Sequence, residues 1–159
     1  MSISDLIVVM KDGVVQQVDL PQKVYDDPVN LFVAKFLGTP PINVLSGKVA
    51  GGKVYIGEDV VLEVSGVEDQ DVIIGIRPEG FVLDENGPLQ CSLSNVEVMG
   101  RDVSIVSTNP ASINPCVRSI INADNKVDLD AQTVRYSIKP HKFFLFNKET
   151  EERIRYEVK

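Results

Sequence analysis

The chain has 159 residues and a formal net charge of −7 at pH 7, with 43% hydrophobic and 25% charged residues and no Trp. This length allows one ordinary domain with an appendage, and folding hides roughly 70% of such a chain's surface, so a core forms without staples. The acid excess repels a phosphate backbone and argues against nucleic acid as a partner, and no apolar run approaches the ~20 residues of a membrane helix. The start, MSISDLIVVMKDG, lacks the basic n-region and long apolar core of a signal peptide. Cys91 and Cys116 make no disulfide framework and read as small buried residues in a reducing compartment.

Leu6 to Met10 is an unbroken apolar run and predicts a short buried strand. Asp12-Gly13 supplies the positive φ of a tight hairpin, and Val14 to Val18 reads as the returning strand. Pro21 suits the first turn of a helix, which Asp27-Pro28 ends. Asp27 is expected to cap a second helix with Pro28 at its first position. Val29, Phe32, Val33 and Phe36 then share one helix face. Gly38 is a natural residue to follow that helix, and Pro40-Pro41 bar its continuation.

From Asn43 the pattern turns extended. Strands are predicted over Val44 to Ala50, Lys53 to Ile56, Val60 to Val64 and the β-branched run Asp71 to Ile76, the last as a central strand. Phe81 to Leu83 reads as an edge segment, and Leu89 to Met99 as a long strand pairing back with Val103 to Val106. Val117 to Ile121, Thr133 to Ile138 and Phe143 to Phe146 follow, then a charged tail to Lys159 expected to be solvated. Many short strands with Gly and Pro turns indicate a mainly β fold, a barrel or sandwich.

No motif for chemistry survives inspection. Gly47-Lys48 and Gly52-Lys53 are each followed by Val and lack the upstream Gly of a phosphate-cradling P-loop. His141 is the only histidine, with no companions for a zinc site or a nucleophilic triad. Asp124, Asp128 and Asp130 fail an EF-hand at Lys126, Leu129 and Arg135, and read as a solvated acidic loop. No catalytic, cofactor or metal residue is therefore assigned. Arg77-Pro78-Glu79 is the polar trio of interest. Pro78 keeps Arg77 extended, and the arginine is expected to form an ion pair that fixes its loop against the two helices, or to hold a partner at the barrel mouth.

The run Val9-Met10-Lys11-Asp12-Gly13, with Gln17, Pro21, Val24-Tyr25, Pro28, Phe32-Val33-Ala34, Phe36, Gly38, Pro40 and Asn43, resembles the junction in sugar-importer ABC ATPases of the maltose and glycerol-phosphate type. Leu45-Ser46-Gly47-Lys48 only superficially echoes their L-S-G-G-Q signature. Gly75-Ile76-Arg77-Pro78-Glu79 resembles the G-[IV]-R-P-E signature of their C-terminal regulatory domain, Val96 to Gly100 its V-E-x-x-G strand, and Leu145 to Thr150 its closing L-F-[DN]-x-x-T segment. The chain departs at Asp19-Leu20, where the family has Gly-Thr or Gly-Ser before the proline, and over Thr108 to Gln132, where the P-G-[DE] turn is replaced by Asp130-Ala131-Gln132.

The resemblance implies an OB-like, TOBE-type β domain over residues 42–159, a helical linker over 20–41, and the end of a nucleotide-binding domain over 1–19. It implies a dimerisation and regulatory role without catalysis in this chain, the ATP and Mg belonging to the parent subunit. It also implies homodimer pairing through the β domain, docking of the parent on membrane permease subunits, a possible regulatory protein, and a place on the cytoplasmic face of the membrane. The alternative is a sensor of a small oxyanion or metabolite, with Ser92, Ser94, Ser104 and Ser107 as candidate donors.

Overall fold

A computed structural model describes residues 5–38, 40–122 and 132–158. The acidic trio Asp124, Asp128 and Asp130, and most of the segment joining residues 108 and 132 beyond Asn122, lie outside them. Strand β1 (Ile7–Lys11) pairs antiparallel with β2 (Val14–Asp19). Asp12 and Gly13 have φ of 51° and 81°, the left-handed pair that a two-residue hairpin requires. The expectation of a buried first strand is corrected: of β1 only Val9 is buried. Leu6, Val8, Met10, Val14, Val15 and Val18 are exposed. A two-stranded sheet has two faces, and the described residues cover one. Val9 meets Val24 and Val33 of the helices that follow.

Helix α1 (Pro21–Asp26) starts at its proline with no side-chain cap from Leu20 and ends at Asp27. Helix α2 (Leu31–Phe36) begins three residues later than the proline rule predicts. Its cap is Asn30, whose Oδ1 accepts the Val33 N–H at 2.9 Å. Asp27 does not cap it, because its carboxylate is taken by Arg153 and Arg155. The predicted apolar face is also corrected. Leu31, Val33 and Ala34 are buried, whereas Val29 and Phe36 are exposed. The helix is wedged between two layers, so it buries two flanks and not one stripe. Leu31 and Ala34 lie on Ile42, Val44, Phe144 and Phe146, while Val33 faces the hairpin.

The β domain follows as β3 (Asn43–Ala50), β4 (Lys53–Ile56), β5 (Asp59–Ser65), β6 (Gln70–Ile76), β7 (Phe81–Leu83), β8 (Leu89–Met99), β9 (Asp102–Thr108), β10 (Val117–Asn122), β11 (Thr133–Ile138), β12 (Phe143–Asn147), β13 (Arg153–Ile154) and β14 (Glu157–Val158). One seven-stranded sheet runs β13-β12-β6-β3-β4-β5-β14, and a five-stranded sheet runs β10-β9-β8-β11-β7. β6 is central, as its β-branched run predicts, and β7 is an edge. The main core lies between the sheets, where Leu45, Ile74 and Ile76 of one join Leu89, Ile105 and Tyr136 of the other.

β12 shows why its sequence has no alternation. Phe143 and Leu145 enter this core, while Phe144 and Phe146 face outward beneath α2. A strand buried on both faces reads as a continuous apolar run. The same outer packing requires Gly75. A Cβ there would stand 2.9 Å from Ile42 Cδ1 and 3.1 Å from Phe146 Cε2. The charged tail is solvated only in part: Glu149, Glu152 and Arg155 are exposed, but Glu151 and Arg153 are half-buried. β13 pairs with β12 through Leu145↔Ile154 and Phe146↔Arg153. Tyr156 packs edge-on to Phe143, with ring centroids 6.3 Å apart. Ile154 and Tyr156 alternate with Arg153 and Arg155, a period-2 pattern hidden by the charges.

Candidate functional site

The polar side chains that converge do so where the helical strap meets the β domain. Arg77 follows directly on β6, held extended by Pro78 at the start of a single 3-10 turn, Pro78–Gly80. It is fully buried. Its Nη1 donates to the carbonyls of Ala34 at 2.8 Å and Leu37 at 3.0 Å, and its Nη2 to that of Tyr25 at 2.7 Å. These carbonyls belong to the C-terminal ends of α2 and α1, which carry unpaired acceptors and partial negative charge. One guanidinium thus caps both helices. Its fork geometry suits the task, since a lysine could not reach three acceptors in a plane.

The expected ion pair is replaced by this main-chain clamp. Among the described residues, no carboxylate lies within ion-pair distance of Arg77. The Tyr25 ring supplies a further partner, 4.0 Å from the guanidinium, at cation–π distance. Burial pushes the Arg77 pKa below its usual value, and the charges of Glu79 and Asp26 are among the influences that oppose it.

Glu79, two residues on, accepts the Tyr25 hydroxyl on both oxygens, at 2.8 and 2.5 Å. Burial, then the bond to Glu79, raises the Tyr25 pKa. Lys142 completes the group, 3.4 Å from Asp26, 3.9 Å from Glu79 and 5.1 Å from the Tyr25 ring centroid. Tyr25 therefore joins the strap to both ends of the Arg77-Pro78-Glu79 trio.

A second lock lies alongside. Arg153 donates to Asp27 Oδ1 at 3.2 Å and to the Pro28 carbonyl at 2.9 Å, and Arg155 also donates to Asp27. The Arg153 guanidinium lies 4.6 Å from the Phe144 ring centroid. Partial burial pushes the Asp27 carboxyl up, but the bonds and charges of Arg155 and Arg153 outweigh it and hold the pKa below the usual value.

Sequence reasoning finds Arg77 and Glu79 and brings them to this junction. It misses Tyr25, Lys142, Asp27 and Arg153, whose partners stand 52 to 128 residues away. The four serines named for an oxyanion do not converge. Ser92 and Ser94 are exposed on β8, whereas Ser104 and Ser107 are buried on β9. Gly47 and Lys48 lie within β3, and His141 lies exposed in a 3-10 turn. Among the described residues no cluster of His, Cys, Asp or Glu is built to hold a metal ion. No described helix is long and apolar enough to cross a membrane.

A mainly β domain of two sheets round one core, with a two-helix strap pinned to one strand end, is an OB-type module with an attachment arm. Residues 38–81, which include Gly75 to Glu79, match the family model described as the MalK OB fold domain. The chain is 29% identical over 154 residues to the sn-glycerol-3-phosphate import ATP-binding protein UgpC of Ruegeria sp., covering 97% of this chain and 43% of that protein. It is 33% identical over 169 residues to the oligosaccharides import ATP-binding protein MsmX of Bacillus subtilis, covering 94% and 44%. It is 40% identical over 102 residues to the diacetylchitobiose uptake system ATP-binding protein MsiK of Streptomyces coelicolor, covering 59% and 27%. The chain thus carries an OB fold domain of the MalK type, and these homologues are ATP-binding proteins of sugar and glycerol-phosphate importers. It spans less than half the length of these relatives.

Proposed function

We propose that this chain is the accessory part of an importer ATP-binding subunit, taking a sugar, an oligosaccharide or a glycerol-phosphate-like solute as the transporter's cargo, with a polyamine or an inorganic ion as the second choice. Its work is mechanical and not catalytic. An ATP-binding domain, in this polypeptide or a separate one, supplies ATP, Mg and hydrolysis, and docks on permease subunits at the cytoplasmic face of the membrane. The β domain pairs with a second copy and sets how far two ATP-binding domains open. A regulatory protein acts through the same β domain.

The observation that carries this reading is the asymmetry of the strap. At one end Arg77 fastens both helices to the β domain. At the other the hairpin presents Val8, Met10, Val15 and Val18 uncovered on one face. Monomeric proteins rarely leave such an apolar patch open. An ATP-binding domain that covers it receives any motion of the β domain through a short, capped connection.

The test is hydrogen exchange on this chain, alone and mixed with the portion of MsmX outside the matched region. The reading predicts added protection at the amides of β1 and β2, with β8 and β9 unchanged. Protection that appears on the β domain and spares the hairpin overturns it.

A further inference from the structure

One cleft of the molecule is at odds with its overall charge. It has a volume of about 370 Å³ and lies between the last turn of α2, the start of β3 and the entry to β10. Two cations line it, Lys35 from α2 and Arg118 from β10, and among the described residues no acidic one does. Both are exposed, and neither pairs with a carboxylate among the described residues. On a chain of net charge −7, two cations in one concavity form a local reversal of sign, and low-dielectric walls focus such a field.

The walls are fixed by the main chain. Asn43 is buried and holds Arg118 at two points. Its Oδ1 accepts the Arg118 N–H at 2.8 Å, and its Nδ2 donates to the Arg118 carbonyl at 2.8 Å. The opposite lip is tied to β3 by the Ile113 N–H on the Val44 carbonyl at 2.8 Å and by Asn114 Nδ2 on the Ile42 carbonyl at 3.3 Å. Pro41 and Pro115 are exposed along the cleft, with Ile42 and Val44 buried behind them.

We infer that this cleft binds a small phosphate monoester, its dianion between Lys35 and Arg118 and its organic body against Pro41 and Pro115. A phosphate monoester carries close to two negative charges at neutral pH, which matches two cations and no acid. The guanidinium offers the planar fork that phosphate accepts in pairs, and the ammonium a point charge. The cleft exceeds what a bare phosphate fills and falls in the range of small-molecule sites. Occupancy ties α2 of the strap directly to β10 of the second sheet. This site is separate from the strap junction, and its binding is measured on the chain alone, so it stands or falls independently of the accessory-domain reading.

The test is an amide-shift NMR titration of the whole chain with sn-glycerol 3-phosphate, glycerol, succinate and inorganic phosphate in turn. The expected result is saturable shifts at Lys35, Asn114, Cys116 and Arg118 with the ester, and none with glycerol. Inorganic phosphate binds more weakly than the ester, and succinate more weakly still. Lys35→Gln and Arg118→Gln are surface changes that keep the fold, and each weakens the ester about tenfold. Shifts from succinate or inorganic phosphate equal to those from the ester overturn the assignment. So do shifts from glycerol, an absence of saturable shifts with the ester, or affinity unchanged in both variants.

Discussion

Replacing Arg77 by Met keeps much of the side chain's volume and removes the clamp. Three main-chain carbonyls lose a charged donor, those of Ala34, Leu37 and Tyr25. Bonds to charged groups contribute about 1.5–3 kcal/mol each, and an acceptor left buried bears its full desolvation penalty. The Tyr25 ring loses its cation at 4.0 Å, worth about 1 kcal/mol. Against this, the buried guanidinium's own desolvation is relieved, and the Leu37 and Tyr25 carbonyls regain some water because those bonds are only part-buried. The balance is a loss of about 3 kcal/mol, within the range for breaking one side of a buried charged network. Arg77→Lys keeps the charge and loses the fork, and is expected to fall by about 2 kcal/mol. Urea unfolding followed by far-ultraviolet circular dichroism measures both. Hydrogen exchange adds where the loss falls: the amides of α2 open first. A loss below about 1 kcal/mol for Arg77→Met, with α2 amides as protected as before, refutes the clamp.

Three other predictions follow from the same packing. The Asp27 carboxyl is held below its unfolded value of about 3.9, so its contribution is present above that pH and lost as pH falls through the lower folded value. In acid titrations of stability, Asp27→Asn removes that part of the slope, and high salt shrinks it in the parent chain, since the pair with Arg155 is exposed. Gly75→Val drives a side chain onto Ile42 and Phe146 and is expected to lower stability by about 2 kcal/mol in urea unfolding. Asn30→Ala removes the cap on Val33 and lowers stability by about 1 kcal/mol, with fraying confined to the first turn of α2 by hydrogen exchange.

Most strand positions are legible because β-branched runs and turn residues agree locally. Lys53 to Ile56, Leu89 to Met99 and Thr133 to Ile138 form β4, β8 and β11 within the bounds that pattern sets. The tail is not legible, because its charges hide the pairing of Ile154 with Leu145. The cap of α2 is misplaced for a related reason. Asp27-Pro28 has the local chemistry of a helix start, but Arg153 and Arg155 claim the carboxylate from across the sheet. At the junction the signature places Arg77 and Glu79 side by side. That the guanidinium serves two helix ends, and not a carboxylate, depends on where α1 and α2 stop in space, which no spacing in the chain encodes.

The pairing of two β domains is the claim on which the accessory role depends, and sedimentation equilibrium of this chain at several concentrations measures it directly. The account predicts a reversible monomer–dimer equilibrium that survives Val8→Ser and Val15→Ser in the hairpin. A monomer at every concentration, or a dimer abolished by those two hairpin changes, contradicts it.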